Sequence, residues 1–392
     1  MKILVVSQFY WPENFRITDI AETLVERGHD VTVLTGLPNY PQGTIYPEYR
    51  HGKNRVQERN GVKIVRAKLI GRRRNVFFRL LNYYSFPFFA SKLAKKLDKD
   101  FDVVLINELS PILGAIPGIK YAKKNKVRCV MYEMDLWPGS LLAGGISPKS
   151  WIYKHYEKVS AKIYSGCDEI LVSTKEHKEA IHSLPGCKDL NIHYLPQCAD
   201  PIFEQTLFPK VDNGVIDLMF ASNIGLAQSC DTIVEAARIL KDDKRFLFHF
   251  IGDGTACPKL KKLVADYGLD NVIFHGRQPL EKMVEFYSLA DAMLVTLEDK
   301  PYARMTIPGK VQSYLACGKP IIGAISGSCA NFIRECGAGM VVEAEDSAGL
   351  ARIITEFAEG DYSEFGRNGR DYYFEHLSQD RYLKELQKYL IK

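Results

Sequence analysis

The chain has 392 residues, of which 46% are hydrophobic and 25% charged, and a formal net charge of +5. That length exceeds one ordinary core and points to two domains of somewhat under about 200 residues each, while the composition excludes long disorder. Nine cysteines lie scattered with no CxxC pair and no Cys/His cluster, which argues against a zinc site and favours the reduced thiols of a cytosolic protein.

The first apolar run, Ile3-Leu4-Val5-Val6, turns polar at Ser7-Gln8. It is too short for a signal peptide and reads as a buried parallel strand over 2–7. An amphipathic helix over 16–27, ended by Gly28, leads to a strand over 31–35. Further strands are expected at 62–68, 102–106, 127–132 and 169–173, giving one doubly wound domain of six strands.

Residues 71–100, GRRRNVFFRLLNYYSFPFFASKLAKKLDKD, set Arg72, Arg73, Arg74, Arg79, Lys92, Lys95 and Lys96 among aromatic side chains. Such a segment suits the headgroup plane of an anionic membrane; a core helix that happens to be aromatic is the other reading. Pro87 is expected to split it into two helices. No nucleic-acid motif accompanies the basic stripe, so nucleic acid is not an expected partner. No stretch of about 18 apolar residues occurs, so no span is expected.

Prolines crowd 194–214, YLPQCADPIFEQTLFPKVDNG, which reads as an interdomain linker. A second α/β series follows, with strands near 216–221, 246–251, 271–275, 292–296, 320–324 and 340–342, and a helical end from about 362. No repeat of 20–50 residues is visible, which excludes a solenoid or propeller. The expected divisions are 1–196, 197–370 and a terminal helix over 371–392.

In open α/β sheets, ligands lie beyond the carboxyl ends of strands, so the strand-to-helix loops hold the candidate residues. In the second series these are Asn223 and Gly225, where Gly225 permits close backbone approach or a positive φ; Gly252 of Gly252-Asp253-Gly254, equally a plain tight turn; Arg277, equally a turn arginine; and Pro308-Gly309-Lys310. Lys310 in a first helical turn is disfavoured by the helix dipole, a cost explained if its ammonium meets a phosphate; an ordinary surface lysine is the alternative. In the first series, Arg16 follows strand 2–7 and offers a phosphate fork or a plain helix surface. Glu133 and Asp135 follow strand 127–132, and Asp135 either touches substrate or caps a loop.

Four segments in this order, SQFYWPENFRITDIAETLVERGHDVTVLTGLPNYPQG, MDLWPGS, SNIGLAQSCDTIVEAA and MTIPGKVQSYLACGKPIIGAI, resemble family 4 glycosyltransferases. The resemblance covers nearly the full length and is strongest to the fucosamine-transferase-like branch that builds capsule and O-antigen repeats. It implies an α/β GT-B fold: two Rossmann-like doubly wound domains facing across a cleft, an N-terminal acceptor-binding one and a C-terminal donor-binding one, with the terminal helix crossing back to the first. It also implies retaining transfer of a hexose or N-acetylhexosamine from a nucleotide-sugar, UDP-linked, to a lipid-linked saccharide. No obligatory protein nucleophile is implied: the leaving phosphate takes the acceptor proton. The donor is a co-substrate, no other cofactor is implied, and no metal is expected because no DxD motif appears. The place of action would be the cytoplasm, peripheral on the inner face of the plasma membrane through 71–100. On this likeness Asp135 and Glu133 are the catalytic candidates, and Arg16, Asn223, Gly225, Gly252, Arg277, Pro308, Gly309, Lys310 and Ser313 surround the donor, with uracil read near Arg277.

The chain departs from the family at several positions. Gln228 stands where relatives carry a Lys, Met134 where a His is common, and Asn14 and Arg16 where paired glycines occur. The two family glutamates fall on Met305 and Ser313, with Glu298 and Asp299 as nearby substitutes. A non-hydrolysing sugar-nucleotide 2-epimerase and a catalytically silent glycan-assembly protein therefore stay open. A dinucleotide-dependent oxidoreductase is disfavoured, since no GxGxxG follows the first strand. The sugar, the acceptor, the linkage and the oligomeric state are not encoded in any recognisable motif.

Overall fold

A computed structural model describes residues 1–73, 75–209, 211 and 213–391; Arg74 of the basic segment and Lys210 and Asp212 of the linker lie outside them. The chain falls into two units, one formed by Met1–Pro196 with the last turns from Leu383, the other by Gln197–Tyr382.

In the first unit, apolar runs with both faces covered form a mostly parallel sheet. Its strands are β1 (Lys2–Val6), β2 (Asp30–Thr35), β3 (Val56–Arg59), β4 (Val62–Arg66), β5 (Val103–Glu108), β6 (Arg128–Glu133), β7 (Glu169–Val172) and β8 (Ile192–Tyr194), in the order β3-β4-β2-β1-β5-β6-β7-β8. Two of these eight were not anticipated among the expected six. The strand β3 pairs antiparallel with β4 around Asn60-Gly61, both at positive φ, and it is an edge strand with no fully buried position, so it lacks the apolar run of its neighbours. The three-residue β8 is too short to show a period.

The helix Ile17–Glu26 ends as expected on Gly28: at φ +85 this residue lets its own N–H reach Val25 O at 2.8 Å and that of His29 reach Leu24 O at 3.1 Å. Pro87 does not split its segment. A single helix runs over Val76–Ala94, because Phe86, Pro87, Ala90 and Ala94 are buried on one side and tertiary packing outweighs the lost backbone bond. Among the described residues, no helix is long and apolar enough to cross a membrane.

The second unit holds β9 (Ile216–Ala221), β10 (Phe246–Ile251), β11 (Val272–Gly276), β12 (Ala292–Thr296), β13 (Ile321–Ala324) and β14 (Gly339–Val342), all parallel, in the order β11-β10-β9-β12-β13-β14. Alternation sends Leu218, Phe220, Phe248 and Phe250 to one apolar layer and Met219, Ala221, Met293 and Val295 to the other. Because every strand points the same way, the loops after β9, β10, β12 and β13 emerge along one edge of the sheet. The helix Ser363–His376 lies against the helix Lys310–Ala316, and two glycines allow the approach: a Cβ at Gly366 would stand 2.2 Å from Gly318 O, and one at Gly369 2.9 Å from Leu315 Cδ2. The final helix, Gln379–Ile391, delivers Gln387 to Arg27 (3.0 Å) and to His29 (2.7 Å) in the first unit.

Candidate functional site

In the second unit, the segment Pro308-Gly309-Lys310 opens a helix of seven residues, Lys310–Ala316. A helix that short carries a weak macrodipole, so the chemical weight moves from the backbone to Lys310 itself. Its Nζ donates to Gln228 Oε1 at 2.6 Å and stands 3.9 Å from the centre of the Phe220 ring. Gln228 is in turn held from below, its carbonyl accepting from Thr296 Oγ1 at 2.6 Å. The residue as a whole is half-buried, its ammonium is desolvated, and no carboxylate among the described residues forms an ion pair with it. Burial lowers its pKa to about 8, with the thiols of Cys230 and Cys329 acting weakly in the opposite direction. An enclosed cation with one neutral hydrogen-bond partner and an aromatic face is a site short of one anion.

The neighbouring loops are built on one another. Gly225 is not at positive φ (−93°), and a Cβ there would meet only the Asn223 amide at 2.8 Å. Gly252, at φ +138, is constrained by the protein itself: a Cβ would lie 1.9 Å from the Ser222 carbonyl oxygen. The close approach this glycine allows is thus made by the 222–224 loop, whose Ile224 N–H donates to Asp253 O at 3.0 Å. Asn223 is exposed beside Gly225, and Arg277 is exposed after β11 at the sheet edge, two strands away from β9. Ser313 is buried within its helix. The substitutes for the family glutamates are already engaged, since Glu298 accepts from the Tyr302 hydroxyl and Asp299 is forked by Arg304 at 2.6 and 3.0 Å.

In the first unit, the carboxyl ends of β5 and β6 bring three acidic residues together. Glu133 is fully enclosed and meets His177 Nδ1 at 2.9 Å. Glu108, at the end of the adjacent strand, is also buried; neither of its oxygens has a well-formed hydrogen bond. Burial, then the charges of Asp135 and Glu133, push its pKa well above the ordinary value, with the backbone amides of Asp135 and Met134 offsetting only part. Asp135 is half-buried and accepts from the Ser110 N–H at 2.8 Å through Oδ2. Glu133 is thus shut off from solvent, whereas Asp135 is partly exposed. Arg16, partly buried, precedes the helix Ile17–Glu26. Beside it Glu13 is buried with Asn39 N–H at 2.7 Å and Tyr40 N–H at 2.6 Å, and burial outweighs those donors to raise its pKa to about 7.

Sequence reading passed over Glu108, Glu13 and His177. Glu108 ends an apolar strand as Glu133 does, so the rule that flagged one would have flagged the other. His177 lies 44 residues beyond its partner on a different helix, and no spacing announces it.

Three of these groups, Glu13, Glu108 and His177, make the stability of the first unit pH-dependent. A folded-state pKa above the unfolded one means the folded chain holds the proton longer, so stability falls as pH rises between the two values. For Glu108 that loss begins above its ordinary 4.5. His177 acts in the same direction above its ordinary 6.5: burial pulls it down, but the Glu133 carboxylate more than compensates and its pKa is raised. Urea midpoints are expected to fall from about pH 5 to about pH 8, and Glu108→Gln, permanently neutral, is expected to flatten that slope. An equally steep slope in the variant would show that Glu108 ionises in the fold as easily as in water.

Comparison with known proteins gives two family models. Residues 15–202 match Glycosyltransferase Family 4, and residues 206–372 match Glycosyl transferases group 1. The chain is 26% identical over 341 residues to the putative colanic acid biosynthesis glycosyl transferase WcaI of Escherichia coli K12, covering 81% of this chain and 82% of the relative. It is 25% identical over 312 residues to the probable glycosyltransferase WbjE of Pseudomonas aeruginosa, covering 75% and 76%. In fold it is similar to HepE of Anabaena, crystallised with UDP and glucose: TM-score 0.72 at 14% identity, over 100% of this chain and 99% of that one.

Proposed function

The chain belongs to the family 4-type glycosyltransferases of GT-B fold, and we propose that it carries a hexose or N-acetylhexosamine, with retention, from a UDP-sugar to a lipid-linked saccharide in surface-polysaccharide assembly. The observation that carries this reading is the Lys310 ammonium, enclosed beside Gln228 and Phe220 without a carboxylate partner. A donor diphosphate would supply the missing anion, and the ammonium would stabilise the charge that grows on it as the sugar–phosphate bond breaks. In this reading Gln228 takes the place of the relatives' lysine by holding Lys310, so that one ammonium serves the diphosphate. Asp135 would orient the acceptor hydroxyl, while the departing phosphate takes its proton; holding both substrates then accounts for much of the rate. WcaI is named for colanic acid biosynthesis and HepE was solved with UDP and glucose, which supports the choice of donor and pathway type.

The acceptor's lipid would bring the enzyme to the inner face of the plasma membrane. Arg72 and Arg73 precede, Arg79 and Lys92 belong to, and Lys95 and Lys96 follow a helix that exposes Phe77, Leu80, Tyr84 and Phe88, the composition that settles on anionic headgroups. A 2-epimerase would need free acid and base groups at the donor loops, and Glu298 and Asp299 are occupied there.

Calorimetric titration with UDP, GDP and NAD, followed by incubation of UDP-[14C]sugars with a lipid extract, tests the reading. UDP binding with label appearing in the lipid fraction is the expected result. NAD binding without UDP binding would overturn it, and UDP binding without any transfer would favour a silent glycan-assembly protein.

A further inference from the structure

The first unit carries a second concave feature, at the end of the sheet opposite Glu133 and Asp135. The helix Val76–Ala94 starts near the carboxyl ends of the strands, where Gln8 Nε2 donates to Asn82 Oδ1 at 3.0 Å. At 19 residues it is roughly 28 Å long, and its last turns reach the amino end of β5. There it borders a cavity of about 350 Å³ lined by Lys92, Lys95, Lys99, Lys120 and Lys124, with Phe88 on its wall. Among the described residues no carboxylate lines it, and none of the five lysines is in an ion pair. The acids nearest in sequence are taken elsewhere, Asp98 by Lys63 at 3.7 Å and Asp100 by Lys2 at 2.5 Å.

Helix dipoles account for part of this charge. Lys92 and Lys95 close one helix, and Lys124 closes the helix Ile116–Asn125, where cations are favoured. Lys99 lies in a loop and Lys120 in mid-helix, so the dipoles do not explain them. All five lysines are exposed around the hollow, and an anion seated there would relieve the repulsion among their like charges.

What lies beside the hollow indicates where that anion comes from. Phe77, Leu80, Tyr84 and Phe88 are 62%, 47%, 52% and 55% exposed, and their spacing puts them on one face of the helix. Phe88 belongs to both features: it ends the apolar stripe and walls the cavity, with the Lys92 ammonium 4.2 Å from its ring centre. An apolar stripe that runs into a lysine-lined hollow matches the order of groups met on entering a bilayer surface, acyl boundary beside phosphate.

We propose that this cavity seats the phosphate of an anionic membrane phospholipid and so fixes the helix Val76–Ala94 along the headgroup plane. The proposal rests on the membrane-surface reading above and adds a defined phosphate seat to it. The seat lies at the amino end of β5, whereas Asp135 follows the carboxyl end of β6, so the phosphate it holds is that of a bulk lipid rather than of the acceptor.

Sedimentation of the full chain with phosphatidylcholine vesicles, with and without phosphatidylglycerol, tests this against two variants of equal charge change. One is Lys120→Gln/Lys124→Gln in the cavity; the other is Lys262→Gln/Lys282→Gln on the exposed surface of the second unit. The cavity pair is expected to weaken binding to the anionic vesicles about tenfold or more, the surface pair less than about threefold, and soluble glycerol phosphate to compete at millimolar levels. Equal losses in both variants would remove the cavity while leaving the membrane reading intact. Wild-type chain that stays in the supernatant with every vesicle would overturn both, and if calorimetry then still showed glycerol phosphate binding that the cavity pair abolishes, the cavity would belong to a free phosphate instead.

Discussion

Lys310→Met is expected to weaken UDP binding roughly 10- to 100-fold, the range given by losing one hydrogen bond from a charged donor worth about 1.5–3 kcal/mol. The same substitution should leave the melting temperature unchanged or raised, because in the free protein the ammonium is enclosed with a single neutral acceptor, Gln228, and no ion-pair partner. That contrast separates loss of a ligand contact from loss of fold. The wild-type affinity should also titrate. With the free lysine poised at about 8 and restored toward its ordinary value by a bound diphosphate, binding takes up a proton once the pH passes 8. The UDP dissociation constant should therefore rise about tenfold between pH 7 and pH 9. Lys310→Arg, charged throughout, should bind with little change across that range. Calorimetry at three pH values on the three proteins decides the matter, and a flat wild-type profile would place the diphosphate away from this ammonium.

Much of the architecture was legible because a buried parallel strand reads as a near-continuous apolar run, as in Val103–Ile106 of β5 and Leu218–Ala221 of β9. What stayed hidden has physical causes. The edge strand β3 exposes part of its length and has no such run, and Pro87 is accommodated by burial that only the folded chain supplies. At the candidate site, single residues at strand ends could be flagged from order along the chain, whereas pairs could not. Lys310 and Gln228 are 82 positions apart and Glu133 and His177 are 44 apart, and neither pair has a spacing that implies contact. Gly252 shows the opposite hazard. Its glycine was readable as room for a ligand, but the space is filled by the Ser222 carbonyl, so the same residue type answers to two different neighbours.

Asp135→Asn is expected to lower sugar transfer by roughly 10²–10³-fold, within the range of a lost polar or proton-handling contact in the transition state, while UDP affinity stays within about twofold. The reason lies in how its two oxygens differ. Oδ2 is held by the Ser110 N–H at 2.8 Å, a bond an asparagine oxygen can also accept, so the loop should keep its shape. Oδ1 has no donor among the described residues, and converting it to an amide would replace an acceptor by a donor where the proposal places the incoming hydroxyl. Glu133 makes the internal comparison: it is fully enclosed against His177, so Glu133→Gln should reach activity only through stability and through the placement of Asp135. Slow release of sugar to water supplies the second readout. If Asp135 orients the acceptor, Asp135→Asn should depress transfer far more than hydrolysis of the donor. Equal losses in both would assign Asp135 to the donor side of the reaction, and an equal loss of UDP binding would reduce it to a structural cap on the Ser110 turn.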